Sequence, residues 1–185
     1  HAEAVRVLAE LGANVETPVN GGYTPVFAAA QQGHAEVVRL LAELGANVET
    51  PMNNGCTPVY IAAQQGHVEV LSVLAELGAN VETPDNDGAT PVCIAAQNGH
   101  AEVVRVLAEL GASVETPKMG RYTPAFIAAQ QGHLEVVRVL AELGANLETP
   151  DNDGATPAFI AAQDGRAEAR RGLAEPGADP QAPGR

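Results

Sequence analysis

The chain has 185 residues, 45% of them hydrophobic, with 10 basic against 23 acidic side chains and a formal charge of −13. That balance argues against DNA or RNA as a partner, because phosphate contact needs a positive footprint. No apolar run is long enough for membrane insertion, and no signal peptide is visible, although a fragment could have lost one.

Residues 1–12 open with His1-Ala-Glu-Ala-Val-Arg-Val-Leu and read as the second helix of a two-helix unit whose first helix is missing. The expectation is a fragment of a longer array. A non-helical stretch follows, and then Thr24 offers an N-cap with Pro25 at the first helical position, where a missing N–H costs nothing. A two-turn helix is predicted over 25–32, ended by Gly33. A second helix is predicted over 35–44, with Val37, Val38, Leu40, Leu41 and Leu44 at helical spacing and Glu36 favoured in its first turn. Pro51 then forbids helix, and Asn53, Asn54 and Gly55 are turn residues. An extended arm, a tight turn and a return arm predict a β-hairpin finger between helix pairs.

This order repeats every 33 residues. Thr-Pro recurs at Thr24, Thr57, Thr90, Thr123 and Thr156; Gly-His at Gly33, Gly66, Gly99 and Gly132; Leu-Gly-Ala-Asn at Leu11, Leu44, Leu77 and Leu143. A fixed period of that length marks stacked supersecondary units, each too short to stand alone. The sequence of T-P-x-x-x-A-A, G-H-x-E-V-V and L-G-A-N-V on this period resembles the ankyrin repeat over nearly the whole chain. The fold class is therefore an all-α repeat solenoid of ankyrin type, helix–turn–helix plus β-hairpin finger, with five full units after the leading half-unit. The chain departs from the family's frequent Leu-His after Thr-Pro, having Val26-Phe27, Val59-Tyr60, Val92-Cys93, Ala125-Phe126 and Ala158-Phe159 instead. The His-centred bonding of the family's first helix is thus expected to be absent.

The repeat domain is assigned to residues 1–178. In the fifth unit Arg170, Gly172 and Pro176 replace apolar residues, which reads either as a C-terminal cap or as the array dissolving into linker. Residues 179–185 read as disordered tail. Cys56 and Cys93 fall at non-equivalent repeat positions, so no structural disulfide is expected, and a reducing, intracellular (cytoplasmic) setting is favoured.

Every Glu falls at one of three repeat positions, typified by Glu36, Glu43 and Glu49. A solvated outer face is the plain reading, and an acidic surface for a basic partner is the functional one. Arg39 lies at spacings that pair with Glu36 and Glu43 on one helix. The ladder His34, His67, His100 and His133 has rungs about 8–10 Å apart, too far to share a zinc, and reads as structural. Asp85-Asn86-Asp87-Gly88 and Asp151-Asn152-Asp153-Gly154 resemble only the opening of a calcium loop and are explained as turns. No nucleophile–base set, metal motif or phosphate loop is found. Neither an enzyme nor a cofactor is predicted.

All the aromatic residues occupy two repeat positions: Tyr23 and Tyr122 before Thr-Pro, and Phe27, Tyr60, Phe126 and Phe159 in the first helix, as core or as partner contact. The ankyrin resemblance implies a monomeric scaffold that grips another protein with finger tips and the concave side of the first helices. Position by position, the contacts would be Asn20, Tyr23, Asn53, Cys56, Asp85, Asp87, Lys118, Met119, Arg121 and Tyr122 on fingers, with Gln31, Gln64, Gln97 and Gln130 on helices. The finger Lys118–Tyr122 differs most, carrying a basic pair and an aromatic with its glycine one place early. With Tyr23 it is the expected anchor. A structural spacer or a targeting module within a larger protein is the alternative.

Overall fold

The computed structural model describes residues 2–165; the expectations for the second helix of the fifth unit, the boundary at 178 and the 179–185 tail lie outside them. The elements run α1 (Ala2–Glu10), α2 (Pro25–Gln31), α3 (Ala35–Glu43), α4 (Pro58–Gln65), α5 (Val68–Glu76), α6 (Pro91–Asn98), α7 (Ala101–Glu109), α8 (Pro124–Gln131), α9 (Leu134–Glu142) and α10 (Pro157–Gln163). Each first helix starts as the sequence dictates. The hydroxyls of Thr24, Thr57, Thr90, Thr123 and Thr156 accept the N–H three residues on, and Pro occupies the next position. Such a cap is worth about 1 kcal/mol. α4 ends at Gly66, whose φ of 84° only glycine adopts without penalty.

First helices α2, α4, α6, α8 and α10 stack in one layer, and second helices α1, α3, α5, α7 and α9 in another. The core between the layers is continuous. Val70, Leu71 and Leu74 of α5 have no exposed surface, nor do Ala62, Ala63, Ala95 and Ala96 of the first helices. The small Ala pairs let neighbouring backbones approach closely, and the branched residues fill the space between layers.

The β-hairpin finger is not present. No β-strand occurs among the described residues, and the only pairings there are isolated bridges, Val19 with Tyr23 and Lys118 with Tyr122. The physical reason is a shortage of donors within each loop. Besides the bond of the turn itself, such as Gly55 N–H to Met52 O at 2.9 Å, one bond joins the two arms, as from Met52 N–H to Cys56 O at 2.9 Å or Asp85 N–H to Ala89 O at 3.0 Å. Bonded pairs alternate in an antiparallel ladder, so the next would need the N–H of Pro25, Pro58, Pro91, Pro124 or Pro157, which has none and already begins the helix. Pairing runs along the stack instead. Asn53 N–H bonds Gly21 O at 2.9 Å, Asn86 N–H bonds Asn54 O at 3.0 Å, and Asn152 N–H bonds Gly120 O at 3.2 Å.

Candidate functional site

The loops differ most between units, and the structure separates their residues into inward and outward sets. Asn20, Asn53, Asp87, Met119 and Arg121 are exposed. Tyr23, Lys118 and Tyr122 are half-buried, whereas Cys56 turns inward and is buried beside Thr57. Burial, and next Asp85, pushes the Cys56 thiol pKa up from its ordinary 9.0. Asp85 is half-buried and fully engaged: Oδ1 accepts from Asp87 N–H at 3.0 Å and Ala89 N–H at 2.8 Å, and Oδ2 accepts from the Tyr60 hydroxyl at 2.9 Å.

The two tyrosine loops share a base. Tyr23 leans on Phe27 with ring centroids 5.2 Å apart, and Tyr122 on Phe126 at 5.1 Å. Such tilted aromatic pairs hold their rings beyond what burial alone provides. The Tyr23 hydroxyl also donates to Gln31 Oε1, fixing the half-buried Gln31 side chain. Gln64 and Gln130 are half-buried at the equivalent position and Gln97 is exposed. Phe27, Tyr60 and Phe126 belong to the core, while Phe159 is 36% exposed.

The fourth loop stands apart. Lys118–Tyr122 contains a short helical turn, Met119–Arg121, broken at Gly120, where φ is 86°. Met119 is 63% exposed. Arg121 adopts a φ of 62°, at the position that the other loops fill with Gly22, Gly55, Gly88 and Gly154. Among the described residues its guanidinium makes no hydrogen bond or ion pair.

Sequence reasoning missed two ladders. Glu49, read as solvated, accepts Asn80 N–H at 2.6 Å, and Glu16, Glu82 and Glu115 likewise take the N–H of Asn47, Ser113 and Asn146. Arg39 pairs not within its helix but with Glu76 of the next unit at 2.9 Å, and Arg105 does the same with Glu142. The signal available was the fixed Glu two residues after each Asn or Ser, since a merely solvated position has no reason to repeat. An open cleft of about 350 Å³ between α1 and the α2–α3 pair, lined by Val5, Leu8, Val15, Ala28 and Leu41, was also not anticipated.

The histidines serve the stack. His67, His100 and His133 each place Nε2 on a carbonyl of the preceding unit, at Gln31, Gln64 and Gln97, at 2.9–3.0 Å. Among the described residues no group of three or more His, Cys, Asp or Glu could hold a metal, and no helix is long and apolar enough to cross a membrane.

A family profile described as "Ankyrin repeats (3 copies)" matches residues 1–52, 45–118 and 114–183. The chain belongs to the ankyrin-repeat family. Its architecture is that of a helical repeat solenoid, of the kind that serves as a protein-interaction scaffold. Comparison with curated proteins gave no match.

Proposed function

We propose that the chain binds another protein through its loop tips and the adjoining side of its first helices, α2, α4, α6 and α8. The observation that carries this reading is the fourth loop. A non-glycine residue in the left-handed region costs about 1 kcal/mol or more, and the Arg121 side chain makes no internal bond that offsets it. A strained arginine next to an exposed methionine, on a loop braced by Tyr122 against Phe126, is a feature that helps binding and not folding. The reading includes a monomer in a reducing, intracellular setting, supported by two free, buried thiols.

The test is affinity capture from source-cell lysate with the native chain and with a Met119→Ala/Arg121→Gly variant. Tyr23 and Tyr122 are left intact because their rings support Phe27 and Phe126, and circular dichroism verifies both folds. A protein retained by the native chain and lost by the variant supports the proposal. Equal retention moves the contact off the fourth loop.

A second reading, a structural spacer, is favoured by the uniform bonding at successive unit boundaries. Retention of nothing by either protein would support it.

A further inference from the structure

Asparagine followed by glycine is chemically vulnerable. The glycine amide nitrogen attacks the asparagine side-chain carbonyl carbon, forming a C–N bond, closing a succinimide and releasing the side-chain nitrogen as ammonia. Water then opens the ring at one carbonyl to give aspartate, or at the other to give isoaspartate. The reaction needs no oxidant or enzyme, and base accelerates it because the attacking nitrogen must lose its proton. It does require an amide N–H that is not held and a side chain free to swing back.

The chain contains three such pairs, Asn20-Gly21, Asn54-Gly55 and Asn98-Gly99. Two are locked. Gly55 N–H donates to Met52 O at 2.9 Å, and the Asn54 side chain accepts from Cys56 N–H at 3.1 Å. Asn98 ends α6 with its side-chain amide donating to Ile94 O at 3.1 Å and Gln64 O at 3.4 Å, while Gly99 N–H bonds Ala96 O at 3.4 Å. Asn20 is different. It is exposed, and among the described residues neither its side chain nor Gly21 N–H makes a hydrogen bond.

The cause lies one residue earlier. In the third and fifth loops Asp85 and Asp151 take the N–H two residues on, at 3.0 Å from Asp87 and 2.9 Å from Asp153. This is the local side-chain cap that aspartate forms in turns. The first loop has Val19 in that place, whose side chain has no acceptor to offer Gly21.

We propose that Asn20 is a site of spontaneous deamidation in the folded chain, with Asn54 and Asn98 protected. The product adds a negative charge at the tip of the first loop. The isoaspartyl form also inserts a methylene into the main chain just before Gly21, whose carbonyl receives Asn53 N–H at 2.9 Å. Modification therefore changes both the charge of this loop and its register with the next one.

The experiment is incubation of the folded chain in mildly alkaline buffer at physiological temperature, with peptide mapping by mass spectrometry over time and a parallel sample in urea. In the folded chain the Asn20 peptide should convert to aspartyl and isoaspartyl forms several-fold faster than the Asn54 and Asn98 peptides. In urea the three rates should converge. Val19→Asp, which copies the third and fifth loops, should slow Asn20 several-fold in the folded chain but not in urea. The inference is overturned if Asn20 is as slow as the other two when folded, or if Val19→Asp fails to slow it.

Discussion

His67 reaches back across a unit boundary to the carbonyl of Gln31 at 3.0 Å, and its ring fills the space where a Cβ on Gly33 would sit, 2.9 Å away. A carbonyl only accepts, so Nε2 is the protonated ring nitrogen. The glycine and the histidine are therefore one device: the missing side chain admits the ring, and the ring caps the helix that the glycine ends.

Gly33→Ala should accordingly be costly. Its φ of 76° already disfavours alanine, and the added methyl collides with the imidazole. A loss of about 2 kcal/mol is expected in urea unfolding, against about 1 kcal/mol for His67→Ala, which removes a single bond. The double variant should lose less than the sum, because both changes break the same contact. Full additivity would separate the two residues.

Arg121→Gly should stabilise the chain. Glycine relieves the φ of 62°, at the cost of a more flexible unfolded state, so the net gain is about 0.5–1 kcal/mol. A thermal midpoint unchanged or lowered relative to the native chain would show that Arg121 contributes to folding after all.

Ser72 occupies the repeat position that Arg39 and Arg105 hold in the units on either side, and its hydroxyl only bonds back to Val68 O at 3.2 Å. Ser72→Arg should pair with Glu109 as Arg39 does with Glu76. The pair is exposed, so the gain is a few tenths of a kcal/mol, present at low salt and screened at high salt. Urea midpoints at two ionic strengths read it directly.

Alkaline pH should destabilise the fold in two stages. Burial raises the Cys93 thiol, and burial followed by Asp85 raises the Cys56 thiol, each from an ordinary 9.0. Burial, followed by the hydrogen bond to Asp85, raises the Tyr60 hydroxyl from 10.0. Groups raised on folding contribute stability that is complete below their unfolded pKa and declines as pH rises above it. Urea midpoints should thus hold to about pH 8 and fall above pH 9, more steeply past pH 10. Tyr60→Phe should remove the steeper part, at a cost of about 1 kcal/mol at neutral pH for the lost bond to Asp85.

Helices were legible because their causes are local. Thr24, Pro25 and Gly33 define one helix within ten residues of sequence, and the same residue types define its four copies. Contacts between units were harder to read, since each partner lies nearly a full period away. Glu49 reads as solvated in the sequence because its donor, Asn80, is in the next unit. The hairpin was expected because Asn53-Asn54-Gly55 is a turn, but the amide of Asn53 bonds sideways to Gly21. Cys56 looked like a tip residue by position alone. Buried Ala89 and Ala155 at the same position in other units were the clue that it faces inward.

The bonds that cross unit boundaries with a backbone group on one side share a direction. Asn53 donates to Gly21, Asn80 to Glu49, and His67 to Gln31, so in these ladders the later unit gives and the earlier one receives, while the exposed Arg39–Glu76 and Arg105–Glu142 pairs run the opposite way. Each boundary is a plug and socket that fits only head to tail. A 33-residue block could be copied or excised at any of these joints and leave donors facing acceptors on both sides of the seam. The length of the array is thereby free to drift in evolution without redesign of a single contact.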